Sequence, residues 1–348
     1  MADITADELY GFILANAEEI DGVLICRVSL IEELRARGID RSQQVRVALV
    51  KELERRGLVR RPHPRSRSLI LTEPSGGRFH ADVARTQQRI ARLREYMSGE
   101  VLRGKDFVCA SWSDCESSIP AGCTFTEGQL SHVGKHFDLT KEGKPYRVVV
   151  VGQEVGGSGR RVTLEERYER VHDASGLTQR FEGYRTHKRR NPHMRGTTLA
   201  LREIFGGPGT DHETEFLDVD GQSVHLFDCF ALVNRLLCAS HVAATSNGKP
   251  TKTMLANCER HFAATMKILQ PTLVVVQGVT VWRRSQRVLR PRQRLSDHFV
   301  ECDLAGRLVL VGTFTHPSAR AQHRWDSPTS AYFLNVVRPT LRSAVERL

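Results

Sequence analysis

The sequence predicts an α/β fold preceded by a smaller unit, and three observations carry that prediction. From Val108 onward, apolar runs of strand character (Arg147–Val151, Val224–Asp228, Leu273–Gln277, Leu308–Phe314) alternate with helical patterns (Gly196–Phe205, Met254–Leu269, Ser330–Leu348). That order winds helices around a central, mostly parallel sheet in three α/β/α layers. Two of the runs open into polar turns. Val148-Val149-Val150-Val151 leads into Gly152-Gln153-Glu154-Val155-Gly156-Gly157, and Leu308–Phe314 leads into Thr315-His316-Pro317-Ser318. Ligands of open α/β sheets bind beyond the carboxyl ends of their strands. Residues 1–74 lack this alternation and read as a domain of their own.

In that first domain, Ala6–Glu18 has helical periodicity, and a short helix from Ser29 is closed by Gly38. Asp40-Arg41-Ser42 caps a third helix, Gln43–Arg56, with Val45, Leu49 and Leu53 on one face and Arg41, Gln44, Arg46 and Lys51 on the other. Leu58–Arg61, a Pro/Arg turn containing Arg65, and Ser68–Thr72 read as a β-hairpin. Helices followed by a basic hairpin resemble a winged helix-turn-helix. That resemblance implies a third helix, with Arg46, in the major groove and a wing, with Arg65, on phosphate. The other reading of the same unit is a protein-contact module. Glu73-Pro74-Ser75-Gly76-Gly77 reads as a linker, and residues 75–107 as linker and connecting helix, with His80–Met97 amphipathic and Arg-rich.

Composition narrows the function classes. The 348 residues carry 51 Lys+Arg against 40 Asp+Glu, a formal charge of +11, which favours polyanionic partners, nucleic acid first. No apolar run is long enough to span a membrane. The acidic start Met-Ala-Asp-Ile-Thr-Ala-Asp-Glu lacks a signal core, so the expected location is the cytoplasm. Disulfides are disfavoured there, and clustered cysteines then suggest metal or an Fe–S cluster. Cys109, Cys115 and Cys123 form one group of the eight cysteines, and Cys229, Cys238 and Cys258 a second; Cys26 and Cys302 read as core residues. Between Ser158 and Arg195 lies a basic insertion ending in Arg185-Thr186-His187-Lys188-Arg189-Arg190, either a solvated loop or a DNA contact.

Several elements then match one superfamily in order. They are Gly152–Gly157, Asn191-Pro192-His193-Met194-Arg195-Gly196, Leu232-Val233-Asn234-Arg235-Leu236-Leu237-Cys238, Asn257-Cys258 with its helix and the strand to Gln277-Gly278, and His316-Pro317-Ser318. On these motifs, residues 108–348 resemble the uracil-DNA glycosylases, in particular their iron–sulfur branch. The resemblance implies a [4Fe–4S] cluster on Cys115, Cys123, Cys238 and Cys258, with Cys109 as the substitute among the first group. Tetrahedral zinc on the same thiolates is the alternative occupant. It also implies a base stacked on His193 (or Met194), in a pocket lined by Gly152 and Asn234. The loop after His316 would press into the minor groove, with Ser318, Arg320 and Arg324 on phosphate.

The chemistry is arguable from the residues themselves. A base inside a duplex must be flipped into a pocket before it can be cut. Breaking an N-glycosidic bond builds positive charge on the sugar and negative charge on the base, and preorganised groups aimed at both do most of the catalysis. Glu154 is the candidate for the sugar side, His316 for the base side, and Gln153 for a base carbonyl; Asn234 has the donor and acceptor needed to read a pyrimidine edge. The sequence departs from the superfamily pattern at Val155 and Gly156, which replace the expected pair, and at His193, where a Phe is expected. A modified or bulky base fits these departures better than uracil. The expected activity is therefore a DNA glycosylase leaving an abasic site, in repair or in defence against phage DNA. The alternative is a catalytically silent DNA-binding regulator that senses a base or nucleotide. A phosphate loop at Gly152–Gly157 lacks both G-x-G-x-x-G spacing and a Walker Lys.

Overall fold

A computed structural model describes residues 4–20, 23–39, 42–55, 58–60, 69–71, 79–102, 109–126, 130–154, 190–206, 215–242 and 248–348. Two compact units result, Met1–Arg78 and Phe79–Leu348. The first contains α1 (Ala6–Ala15), β1 (Ala17–Ile20), β2 (Val23–Cys26), α2 (Leu30–Ala36), α3 (Ser42–Arg55), β3 (Val59–Arg60) and β4 (Leu69–Leu71). Its sheet runs β1-β2-β4-β3, all antiparallel. Thr5 caps α1: its hydroxyl accepts from the Glu8 amide while the Glu8 carboxylate accepts from the Thr5 amide. Leu9, Ile13, Leu30, Leu53, Val59 and Leu69 close a small core. The helix expected over Ala6–Glu18 stops at Ala15, because Ala17–Ile20 pairs with Val23–Cys26 instead. The expected hairpin tip with Arg65, the linker Glu73–Gly77 and most of the basic insertion lie outside the described residues.

The second unit begins with β5 (Phe79–Ala81) and α4 (Val83–Tyr96). This segment, expected as a connector, belongs to the larger unit: β5 pairs with β8 (Leu139–Lys141) and with β11 (Phe216–Val219). Arg89 of α4 binds Asp138 at 2.8 Å, with both side chains buried. After α5 (Trp112–Ser117), β6 (Cys123–Thr126) and β7 (His132–Val133), the strands β8, β9 (Lys144–Tyr146), β11 and β12 (Gln222–His225) join β5 in a five-stranded sheet ordered β12-β11-β5-β8-β9.

The principal sheet has seven strands in the order β16-β17-β18-β15-β10-β13-β7. Its centre is four parallel strands: β13 (Phe230–Asn234), β10 (Val148–Gly152), β15 (Leu273–Gln277) and β18 (Arg307–Phe314). Every residue of β10, β13 and β15 is buried, as expected of strands covered on both faces. Alternation divides them. Val148, Val150, Leu232, Val275 and Leu310 pack with α6 (Pro192–Phe205) and α9 (Arg338–Arg347). Val149, Val151, Val233, Val276 and Val311 pack with α4, α7 (Lys252–Leu269) and α8 (Val279–Leu289). The fold is α/β with a mixed, partly parallel sheet, and among the described residues no helix is long and apolar enough to cross a membrane. The strand expected at Val224–Asp228 ends at His225 and lies in the five-stranded sheet. The run that joins the parallel centre is the next one, Phe230–Asn234, which places Asn234 on a strand end. The edge strands β16 (Pro291–Ser296) and β17 (Phe299–Leu304) and the helix α8 are additions to the expected elements; Val300, Cys302 and Leu304 alternate with Glu301 and Asp303 in β17, and Val281, Ser285 and Leu289 form the buried face of α8.

One buried ion cluster anchors the segment into α6. The Glu215 carboxylate receives Arg190 at 2.6 and 2.9 Å, Arg202 at 2.5 Å and His225 at 3.0 Å, all four side chains being essentially out of solvent. Burial alone would raise the pKa of Glu215, but His225 and the two guanidiniums outweigh it and hold the carboxyl near 2. Its stabilising contribution is therefore present above the ordinary carboxylate pKa and is lost only as pH falls toward about 2. Glu215→Gln would leave two buried guanidiniums facing a neutral amide. We expect a loss of roughly 3–5 kcal/mol in urea unfolding at neutral pH.

Candidate active site at the strand ends

The parallel centre delivers its polar residues to one edge. Gly152 pairs with Asn234 at the ends of β10 and β13, and Gly152 and Gln153 carbonyls accept from the Arg235 and Leu236 amides at 2.8 and 2.7 Å. A Cβ on Gly152 would lie 3.2 Å from His193 Cε1 and 3.4 Å from Asn234 Oδ1. Glycine is thus the residue that lets the strand end, the imidazole and the carboxamide meet. His193 reaches this point because Asn191 caps α6, its Oδ1 accepting from the Met194 amide at 2.9 Å, with Pro192 in the first turn. Met194, the other candidate for stacking, is buried in the core behind it.

Glu154 follows one residue beyond Gln153. Its Oε1 occupies the space beside Gly248, where a Cβ would sit 1.7 Å from it, so the carboxyl group is wedged against bare backbone. Oε2 is buried with no hydrogen-bond partner. Desolvation pushes the Glu154 pKa up to about 7, with the Arg284 charge on α8 opposing the rise. Asn234 Nδ2 and Arg284 Nη1 are likewise buried without partners. Unpaired polar atoms are costly in a folded interior. Their presence at one strand edge suits a polar ligand or water that would complete them.

His316 arrives from β18. Its Nδ1 accepts from the Ser318 backbone N–H at 3.2 Å and lies 2.8 Å from the Ser318 hydroxyl. A backbone N–H only donates, so the neutral ring carries its proton on Nε2. One side of the ring meets solvent, yet desolvation over the rest lowers its pKa, against the Asp326 charge, which raises it. The imidazoles of His193 and His316 lie nearly parallel, 20° apart in plane with centroids at 6.3 Å. Glu154, Asn234, His193 and His316 thus stand at the ends of neighbouring strands and on the helix they border. Gln153, half-buried, contributes its carbonyl to the β13 junction.

The phosphate candidates are more dispersed. Arg320 is exposed on the turn after His316. Arg324 is half exposed, but its guanidinium is engaged with Asp326 through both Nε and Nη2. Ser318 is engaged with His316. Arg46, in the separate N-terminal unit, is half-buried on α3, with a buried Nε that lacks a partner.

Among the described residues no group of three or more His, Cys, Asp or Glu side chains stands as a metal centre would. Three of the candidate thiols are nonetheless neighbours. The Cys238 side chain hydrogen-bonds to both Cys115 and Cys258, and the Asn257 amide donates to the Cys115 sulfur at 3.4 Å. These bonds, Cys238's first, draw Cys115 down to about 7. Cys109 is buried in the same apolar cluster as these three. Cys123 is half-buried and pairs with Val242, four residues along from Cys238 on β14 (Ala239–Val242). Cys115, Cys238 and Cys258 are thus the thiols that stand together, with Cys109 in their apolar cluster and Cys123 on the neighbouring strand. Gly248, Arg284, Arg195 and Asp326 belong to the site or its frame and were not singled out in the sequence. No protein-family profile matches the chain, and no curated protein resembles it in sequence.

The raised pKa of Glu154 has a stability consequence with a definite sign. Folding favours the protonated acid, so this contribution is full below the unfolded value near 4.5 and is lost as pH rises through about 7. We expect wild-type protein to lose up to about 3 kcal/mol across that window relative to Glu154→Gln. Paired urea titrations at pH 4.5, 6 and 8 measure it.

Proposed function

We propose that this protein is a DNA glycosylase that hydrolyses the N-glycosidic bond of a flipped, uracil-like or modified base and leaves an abasic site. The single observation that carries the reading is the convergence of Glu154, Asn234, His193 and His316 at the carboxyl ends of the parallel strands, with Glu154 Oε2 and Asn234 Nδ2 buried and unpartnered. Residues 108–348 supply a glycosylase-like domain of the uracil-DNA-glycosylase kind. The N-terminal unit is proposed as a winged helix, supported by its helix and strand order and by the pairing of β2 and β3 with β4. The +11 charge suits a DNA partner.

In this mechanism the base enters beside His193, and Asn234 reads its edge through the free Nδ2. Water adds its oxygen to C1′ of the sugar as the C1′–N bond breaks, and that electron pair leaves with the base. Glu154 in its ionised form orients the water, stabilises the positive sugar and takes the proton. Neutral His316, with Nδ1 held as an acceptor, donates from Nε2–H to the oxyanion developing on the base. Cys115, Cys238 and Cys258, with Cys109 or Cys123, would hold a [4Fe–4S] cluster, whose contribution is to pin these chain segments together.

Incubating the protein with duplexes containing uracil, hypoxanthine or modified cytosines, followed by alkali, tests the reading. Wild type should yield strand breaks at the target base, and Glu154→Gln and His316→Ala should be slower by on the order of 10²–10⁴-fold. Because the ionised carboxylate acts, the rate should rise with pH through about 7 and then level off. DNA binding without cleavage of any of these substrates would favour the base-sensing regulator. Iron and sulfide analysis of anaerobically purified protein should find the cluster, and Cys238→Ala should abolish it; loading with zinc alone would replace the cluster by a structural zinc.

A further inference from the structure

The two imidazoles of the site belong to different elements, and their spacing needs a cause. His193 sits in the first turn of α6, whereas His316 sits in the turn leaving β18. The two elements meet where Gly196 faces Pro317. A Cβ at Gly196 would lie 2.6 Å from Pro317 Cγ, 2.8 Å from its Cβ and 3.1 Å from Trp325 Cζ3, so helix backbone rests directly on the proline ring. Trp325, fully buried, ties back to the same turn: its Nε1–H donates to the Thr315 carbonyl at 2.7 Å and its amide to the Pro317 carbonyl at 3.1 Å.

Next to Trp325 stands Asp326, itself 2% exposed. Arg195, on the same helical turn as His193, donates to its Oδ2 from Nε at 3.0 Å and also from Nη2. Arg324, in the segment that follows His316, binds the same carboxylate, Nη2 reaching Oδ2 at 2.9 Å and Nε reaching Oδ1. A third bond from Arg195, Nη1 to the Arg190 carbonyl at 2.8 Å, connects the clamp to the Glu215 cluster. One buried carboxylate therefore joins the helix that carries one imidazole to the loop that carries the other.

We infer that Asp326 is the positioning residue of the site: through Arg195 and Arg324 it fixes the spacing of His193 and His316, and so the slot beside them in which the base is received. The inference rests on the base-excising reading for what enters the slot, but the slot's geometry stands apart from it. Arg324 accordingly acts mainly inside the protein, and its effect is on the reaction after binding rather than on the hold of phosphate. Displacing a reacting group by about 1 Å costs on the order of 10²-fold in rate.

Asp326→Asn and the milder Arg324→Gln test this, the second because a buried carboxylate between two guanidiniums is a variant that can fail to fold. Thermal unfolding first establishes that each is folded. In single-turnover excision, the clamp predicts a rate at saturating DNA lowered about 10- to 100-fold, with DNA Kd within about threefold. A pure phosphate contact predicts the reverse for Arg324→Gln, a raised Kd with an unchanged saturated rate, and overturns the proposal. An arm independent of activity uses 13C-histidine-labelled protein at pH 8. Both variants should move the His316 ring resonances in the direction that His193→Ala moves them, since each separates the two rings. Unmoved His316 resonances in both folded variants would refute the clamp, whether or not the wild type excises a base. Moved resonances in a protein without excision would leave the clamp standing and remove only the glycosylase reading.

Discussion

The constraint on which the structure depends is that four buried parallel strands run in one direction and end together. Apolar runs covered on both faces cannot stop at arbitrary points, because the first polar residue after each run must find water or a partner. In β10, β13, β15 and β18 that requirement brings Gly152–Glu154, Asn234, Gln277–Gly278 and Thr315–His316 to the same edge. Gln277 Nε2 donates to Thr197 of α6 at 3.0 Å, while its Oε1 is buried without a partner. Glu154 and Asn234 also keep an unpaired polar atom each, and what separates frame from site is charge.

Electrostatics in this domain follows the same division. Carboxylates of the frame are surrounded by cations: Glu215 by Arg190, Arg202 and His225, Asp326 by Arg195 and Arg324, Asp138 by Arg89. Their pairing holds helices and loops to the sheet. Glu154 is wedged against the backbone of Gly248, and burial pushes its carboxyl group toward neutrality against the Arg284 charge. Groups whose environments separate their pKa values in this way are the ones that can exchange protons near pH 7. Neutral His316, with its Nδ1 committed to Ser318, is suited to donate without first losing a charge.

Much of the site was legible because its residues follow strong local signals. The Val148–Val151 run and the Leu308–Phe314 run announce strands, and the polar turn after each is necessarily at a strand end. Asn234 is marked in the sequence by the motif Asn234-Arg235-Leu236-Leu237-Cys238 rather than by its strand, since the strand that carries it follows the expected one, Val224–Asp228. That segment forms an antiparallel pair in the second sheet, and apolar content alone does not say which sheet a strand joins. Phe79–Ala81 was read into a connector for a similar reason, because three residues show no period and their pairing with β8 and β11 is made across the sequence. The clamp at Asp326 and the contact of Gly248 with Glu154 have no local signature. Each depends on residues more than ninety positions apart coming into contact.

Whether the strand ends receive a base taken out of the helix is measured directly by fluorescence of 2-aminopurine. The probe would sit beside deoxyuridine, or beside whichever base is excised, in a duplex titrated with Glu154→Gln protein so that the bond stays intact. Base flipping unstacks the probe, so emission should rise saturably, and the rise should fall sharply when His193→Ala is added to the variant. Saturating DNA binding, seen by anisotropy, with no change in emission for any target base would contradict it.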